Sequence, residues 1–215
     1  MRTKNLLLSA AALVAGALSV QAQSNVYSVN VVGYVNQPLA AGKFSLIANP
    51  LNAGTNNLTT ILSGIPNGSQ VQVWTGSGYQ LATKGLINGV WSTNLNIAPG
   101  EGFFVKPSAN YTNTFVGSLV IGFGQTNSVN LPGGVFTLAA SPLPFSGRLT
   151  DVGTNVLNLN TLPNGSQVQV WNGSGYQLAT KGLINGQWNT NLLIQVGQGF
   201  FVKPSSAATW SQTLQ

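Results

Sequence analysis

The stretch Pro66–Pro107 returns almost letter for letter as Pro163–Pro204, ninety-seven residues later. From Pro66 to Gly89 and from Pro163 to Gly186 the copies differ only at Thr75 against Asn172. A repeat this close means one structural unit built twice, so the chain reads as a pair of like modules. The likeness continues upstream. Phe44–Leu51 (FSLIANPL) matches Phe136–Leu143 (FTLAASPL), and Val31-Val32-Gly33-Tyr34 is similar to Val120-Ile121-Gly122-Phe123. Each module is therefore expected to open with two strands, with boundaries at residues 23–117 and 118–215. The connection into the repeat is five residues longer in the second copy.

The repeated core has strand periodicity. Gln70-Val71-Gln72-Val73-Trp74 alternates polar and apolar residues, as a strand with one buried face requires. Turn residues Thr75–Gly78 follow, then a second run over Tyr79–Ile87. Asn88-Gly89 is the favoured pair for a two-residue type I′ hairpin, which would return the chain through Val90–Leu95. A Pro99-Gly100 turn then leads into Phe103–Lys106. The economical expectation is a four-stranded meander, repeated at Gln167–Trp171, Tyr176–Ile184, Gln187–Leu192 and Phe200–Lys203. Between Leu51 and Pro66, Leu58, Ile61, Leu62 and Ile65 fall at helical spacing after Asn56 and Asn57, which predicts one or two turns of helix. The predicted fold class is all-β: two tandem, near-identical small β-sandwich or barrel-like modules, each with a short helix.

Substitutions between the copies indicate facing. Val90 becomes Gln187 and Ser92 becomes Asn189, so these positions face water, and Trp91, Thr93 and Leu95 share the opposite side. The preceding hairpin leaves two arrangements open. A three-residue loop gathers Val71, Val73, Tyr79 and Leu81 and turns Trp74 outward; a four-residue loop pairs Trp74 with Tyr79. One residue of slip reverses every side chain.

The N-terminus reads as a secretory signal over residues 1–22. Arg2 and Lys4 precede the apolar run Leu6–Val20, and Val20-Gln21-Ala22 has the small-residue spacing of a cleavage site. The run is short for a bilayer span and is followed by polar residues. The expectation is an exported protein, periplasmic, cell-surface or extracellular, that spans no membrane once cleaved. An outer-membrane barrel is disfavoured because the C-terminus lacks a closing aromatic. There is no cysteine, so disulfides cannot support the fold and the cores must.

Without the signal, Lys43, Lys84, Lys106, Arg148, Lys181 and Lys203 face only Glu101 and Asp151, a net charge of +4. The cations are scattered singly, with no run that would follow a line of phosphates, so nucleic acid is not an expected partner. The inventory also excludes most catalysis. Without histidine or cysteine, neither a nucleophile–histidine pair nor a His- or Cys-ligated zinc site can be built. Glycoside hydrolysis needs two carboxylates about one bond. The two here lie in different modules, and Gln198 replaces Glu101 in the second copy. Nothing in the sequence marks Lys84 or Lys181 for a lowered pKa. Gly76-Ser77-Gly78 fits neither a dinucleotide nor a phosphate-loop spacing, and calcium would want clustered carboxylates. No catalytic residue, cofactor or metal is expected.

Recognition and architecture remain. The motifs FSLIANPLN, W-x-G-x-G-Y and P-G-x-G-F-F lie at Phe44–Leu51, Trp74–Tyr79 and Pro99–Phe104. They recur at Phe136–Leu143, Trp171–Tyr176 and Gly197–Phe201, with Val196 in place of Pro99. In these motifs the chain resembles a loosely defined group of uncharacterised exported bacterial β-rich repeats. The resemblance implies a compact β module of surface or secreted proteins whose glycines and aromatics are architectural.

Trp74, Tyr79, Trp171 and Tyr176 are the ligand-stacking candidates. Flat aromatics beside Gln and Asn amides suit sugar rings, and two weak sites would gain avidity. Aromatics are equally the fillers of small β modules. The expected function is a non-catalytic structural or interaction protein, with a carbohydrate-binding module as the alternative; a polysaccharide or another surface protein would be the partner. Open edge strands add the expectation of self-association, with Val26–Val35 pairing onto a neighbouring chain.

Overall fold

The structure is a computed structural model that describes residues 32–215. The signal segment and the first part of the N-terminal strand expected at Val26–Val35 lie outside the described residues. What is described is nearly all β and wholly antiparallel.

In the first half, β1 (Val32–Leu39) pairs along its length with β6 (Tyr111–Ser118) to form a two-stranded ribbon. Four strands form the sheet beneath it: β2 (Ser45–Ala48), β3 (Gln70–Trp74), β4 (Tyr79–Thr83) and β5 (Gly102–Lys106), ordered β2-β5-β3-β4. The second half has its ribbon in β7 (Thr126–Leu131) and β14 (Ala208–Thr213). Its sheet comprises β8 (Thr137–Ala139), β10 (Gln167–Trp171), β11 (Tyr176–Thr180) and β13 (Phe200–Lys203), in the corresponding order β8-β13-β10-β11. A short pair joins β9 (Gly147–Arg148), in the longer connection, to β12 (Leu193–Ile194), in the repeat.

Two cores follow from this layering. Leu39 and Phe115 of the ribbon meet Val71, Val73, Ala82, Phe103 and Val105 of the sheet, with Trp91, Leu95 and Ile97 closing the side. In the second half Leu131 and Trp210 meet Val168, Val170, Ala179, Phe200 and Val202, with Trp188 and Leu192 in the lateral positions. The predicted helix is present as α1 (Leu58–Ile61). Asn57 caps it by accepting a hydrogen bond from Thr60 N at 3.0 Å, satisfying a donor that a helix start leaves free. Leu58, Ile61, Leu62 and Ile65 are all buried. The second half has only a 3-10 turn at Leu159–Thr161.

Three expectations are corrected. The sheet is not a meander: β5 pairs directly with β3 (Gln70↔Lys106, Gln72↔Phe104), and Val90–Leu95 contributes only the isolated bridge Lys84↔Trp91. The second run ends at Thr83 instead of Ile87, and Asn88-Gly89 is not a type I′ turn. Only Gly89 has positive φ (66°), and the loop closes through Gly89 N to Gly85 O and Gly85 N to Val90 O. That loop leaves Ile87 and its counterpart Ile184 fully in solvent. Third, Val120–Phe123 is connection, and the opening strand of the second half is β7, which places Leu131 where the first half has Leu39.

Trp91 and Trp188 are buried as the copy comparison indicated, and Leu95 with them, but Thr93 is exposed because its segment carries no regular pleat. The hairpin takes the four-residue alternative, Trp74 opposite Tyr79. As for self-association, the described part of the N-terminal strand lies on β6 of its own chain, and β7 holds the C-terminal strand in the same way.

Candidate functional site

The outward faces of the two four-stranded sheets meet each other. Leu46, Phe104 and Phe201 are buried there, packed with Phe44, Trp74, Phe136, Leu138 and Trp171. Locally, the hairpin that sets each tryptophan is closed by turn chemistry. Thr75 N donates to Gly78 O at 2.9 Å with Gly76 at φ 93°. In the other copy Asn172 Oδ1 accepts from both Ser174 N and Gly175 N. Pairing across the hairpin then puts Trp74 against Tyr79, and Trp171 against Tyr176, at the same end of each sheet.

The result is a closed circuit of six rings. Trp74 stands edge-on to Tyr79 (5.0 Å between centroids), Tyr79 to Phe104 (5.9 Å) and Phe104 to Trp171 of the other half (5.7 Å). Trp171 meets Tyr176 (5.1 Å), Tyr176 meets Phe201 (5.8 Å), and Phe201 returns to Trp74 (6.0 Å). Edge-to-face contacts set the positive rim of one ring against the negative face of the next. All four aromatics singled out from sequence are therefore in one cluster, not two separate sites.

Their exposures differ. Trp74 and Trp171 are half-buried, with their indole N–H groups turned into the joint. Trp171 Nε1 donates to Phe44 O at 2.8 Å, whereas Trp74 Nε1 is buried without a protein acceptor. Tyr79 and Tyr176 remain 44% and 43% exposed. They line a shallow cleft of about 200 Å³ with Phe44, Gln72, Phe104 and Trp171. Burial, reinforced by the neighbouring Tyr79, holds the Tyr176 phenol well above its ordinary range, so it stays a neutral hydrogen-bonding group. Just outside, Lys106 lies over the Phe44 ring at 5.5 Å and Lys203 over Phe136 at 5.4 Å.

Both carboxylates have local duties. Glu101 Oε2 accepts from Ala98 N at 3.0 Å across the Pro99-Gly100 turn, and Gln198 Oε1 does the same for Gln195 N at 2.9 Å. An amide oxygen serves that turn as well as a carboxylate, which explains how the second copy dispenses with the acid. Glu101 also lines a groove of about 350 Å³ with Pro99, Asn127 and Leu138, and burial raises its pKa. Asp151 Oδ2 accepts from Arg148 N at 2.7 Å within its own turn. Among the described residues no three His, Cys, Asp or Glu side chains gather as a metal site would need.

What sequence reading missed is the role of Lys84 and Lys181, both buried. Lys84 Nζ donates to Ile65 O (2.8 Å) and Ser63 O (3.2 Å); Lys181 Nζ donates to Leu162 O (2.7 Å) and Asn160 O (2.6 Å). Each ammonium satisfies carbonyls where the short helical turn ends. Burial lowers the pKa of Lys181. The available signal was a lysine kept at the same place in both copies, amid apolar and amide residues.

No protein family, curated protein or solved structure matches the chain. Among the described residues no helix is long and apolar enough to cross a membrane.

Proposed function

We propose that the chain is a non-catalytic, exported structural or interaction protein, working in the periplasm, at the cell surface or outside the cell. The observation that carries this reading is the six-ring circuit: the most ligand-like side chains are used to join one half to the other. The placement of the ionisable groups supports it. Glu101 and Asp151 each serve a local turn, and Lys84 and Lys181 serve helical ends. The resemblance of the W-x-G-x-G-Y and P-G-x-G-F-F motifs to exported bacterial repeats points the same way. A screen of the mature protein against a glycan array and a panel of hydrolase substrates tests it. The expected result is no turnover; reproducible turnover lost in Glu101→Gln or Asp151→Asn would overturn the reading.

One observation favours a second reading, a carbohydrate-binding module. The cleft keeps two partly exposed phenols beside the Gln72 amide, a combination that stacks a sugar face while bonding its hydroxyls. On this reading polysaccharide shifts the tryptophan fluorescence, and Tyr79→Ala with Tyr176→Ala abolishes the shift. An unchanged spectrum across the array removes it.

A further inference from the structure

We propose that the surface joining the two halves is self-complementary, so that a second copy of this chain is a partner it fits, docking by reciprocal exchange of halves. This goes beyond the non-catalytic reading and does not depend on it. The contacts across the joint come in matched pairs. Phe104–Trp171 at 5.7 Å has its counterpart in Phe201–Trp74 at 6.0 Å. The supporting contacts match as well: Phe44–Phe104 at 6.2 Å with Phe136–Phe201 at 6.5 Å, and Tyr79–Phe104 at 5.9 Å with Tyr176–Phe201 at 5.8 Å.

The backbone follows the same rule where the halves approach most closely. A Cβ at Gly102 would stand 3.1 Å from Leu138 of the other half, and one at Gly199 would stand 3.1 Å from Leu46. On one side only, β2 also bonds to the far half, with Ala48 N donating to Gly197 O at 2.8 Å. The polar contacts do not share this match: Trp171 Nε1 donates to Phe44 O without an equivalent from Trp74, and the bridge Ile47↔Gln198 with its bond from Ala48 N to Gly197 O has no counterpart between Ala140 and Gly100.

A surface whose two sides carry the same residues in the same relation is isologous, the property of two-fold dimers. Here both sides belong to one chain, linked by residues 119–125, of which Leu119 packs on the first core and Val120 and Ile121 on the second. That tether keeps the halves at an effective concentration on the order of millimolar. At low protein concentration the joint therefore closes within the chain. When chains fold crowded together, or the tether cannot span the joint, the same surface closes between copies.

The test uses the mature chain refolded across a concentration series, sized by light scattering, beside a variant lacking Gly122–Gly124. The expected result is a monomer from dilute refolding, a species of twice the mass that grows with concentration, and a dimer at every concentration for the shortened chain. Phe104→Ala with Phe201→Ala should return both to folded monomers. Monomer at all concentrations for the wild type overturns the proposal, whether or not the shortened chain folds. A dimer that survives the double substitution also overturns it, because another surface would then hold it.

Discussion

The last strands of the two halves share a backbone and exchange their chemistry. Counting from Pro107 and Pro204, the inward positions are Asn113 then Phe115 in β6, and Trp210 then Gln212 in β14. All four are buried. Asn113 Nδ2 donates to Ile61 O at 3.1 Å, and at the matching position Trp210 Nε1 donates to Leu157 O. Gln212 Nε2 donates to Ser141 Oγ at 3.0 Å where the first half simply packs Phe115. The lesson concerns what a repeat holds constant. Each first inward position reaches a carbonyl of the helical connection, by amide or by indole, and each last strand adds one aromatic to its core. Which position supplies the bulk varies with the connection, which holds an α-helical turn in one half and is longer, with a 3-10 turn, in the other.

Seven substitutions, in four comparisons, test this equivalence. Trp210→Ala should have the largest effect, about 3–5 kcal/mol in urea unfolding, since it empties the second core and strands Leu157 O. Asn113→Ala should cost about 1–3 kcal/mol, the cost of leaving Ile61 O unsatisfied. A smaller loss for Trp210→Ala than for Asn113→Ala would end the claim that bulk and amide divide the work.

Next come Phe104→Ala and Phe201→Ala, each at the centre of the joint. Each should cost about 3 kcal/mol, and the two should agree closely. Divergence by a factor of two would show that the halves do not share the joint evenly.

A smaller difference separates Trp171→Phe from Trp74→Phe. The first breaks a hydrogen bond and the second removes a buried donor that has none, so Trp171→Phe should be worse by about 1 kcal/mol.

The least effect is expected for Glu101→Gln, which installs the residue the second half already uses. Burial raises the Glu101 pKa above 4.5, so the folded chain binds the proton more tightly than the unfolded one. Wild-type stability should therefore rise as pH falls from neutral through that raised value towards 4.5. The variant should lose this slope, a change below about 1 kcal/mol, because the group is partly solvated.

Much of the fold was legible. Alternation in Gln70–Trp74, the capped helical spacing after Asn57 and the Val90/Gln187 comparison located strands, helix and the buried Trp91 and Trp188. Strand partners were not, because a period of two reports which face a residue occupies and nothing about its neighbour across the ladder. Thus β5 passed Val90–Leu95 and paired with β3.

The joint was missed for a related reason. Gln70 and Gln72 made the outer face look solvated, yet Phe103-Phe104-Val105 and Phe200-Phe201-Val202 are apolar on both faces and report a strand covered on both sides. That run was the signal that two sheets meet. The aromatics Trp74, Tyr79, Trp171 and Tyr176 were visible as a set, but their convergence depends on contacts some hundred residues apart in the chain.

The reliance on amides in this fold has a chemical cost that unfolds with time. Asn67 and Asn164 each precede a glycine at positive φ, and each Nδ2 donates at 3.1 Å to the carbonyl of Leu86 or Leu183 at the base of an exposed loop. Asparagine is among the thermolabile residues. Deamidation at either site deletes that donor and sets a carboxylate against a carbonyl oxygen. An old molecule should therefore carry its damage at twin places, beneath Ile87 and beneath Ile184, and become more acidic as it ages.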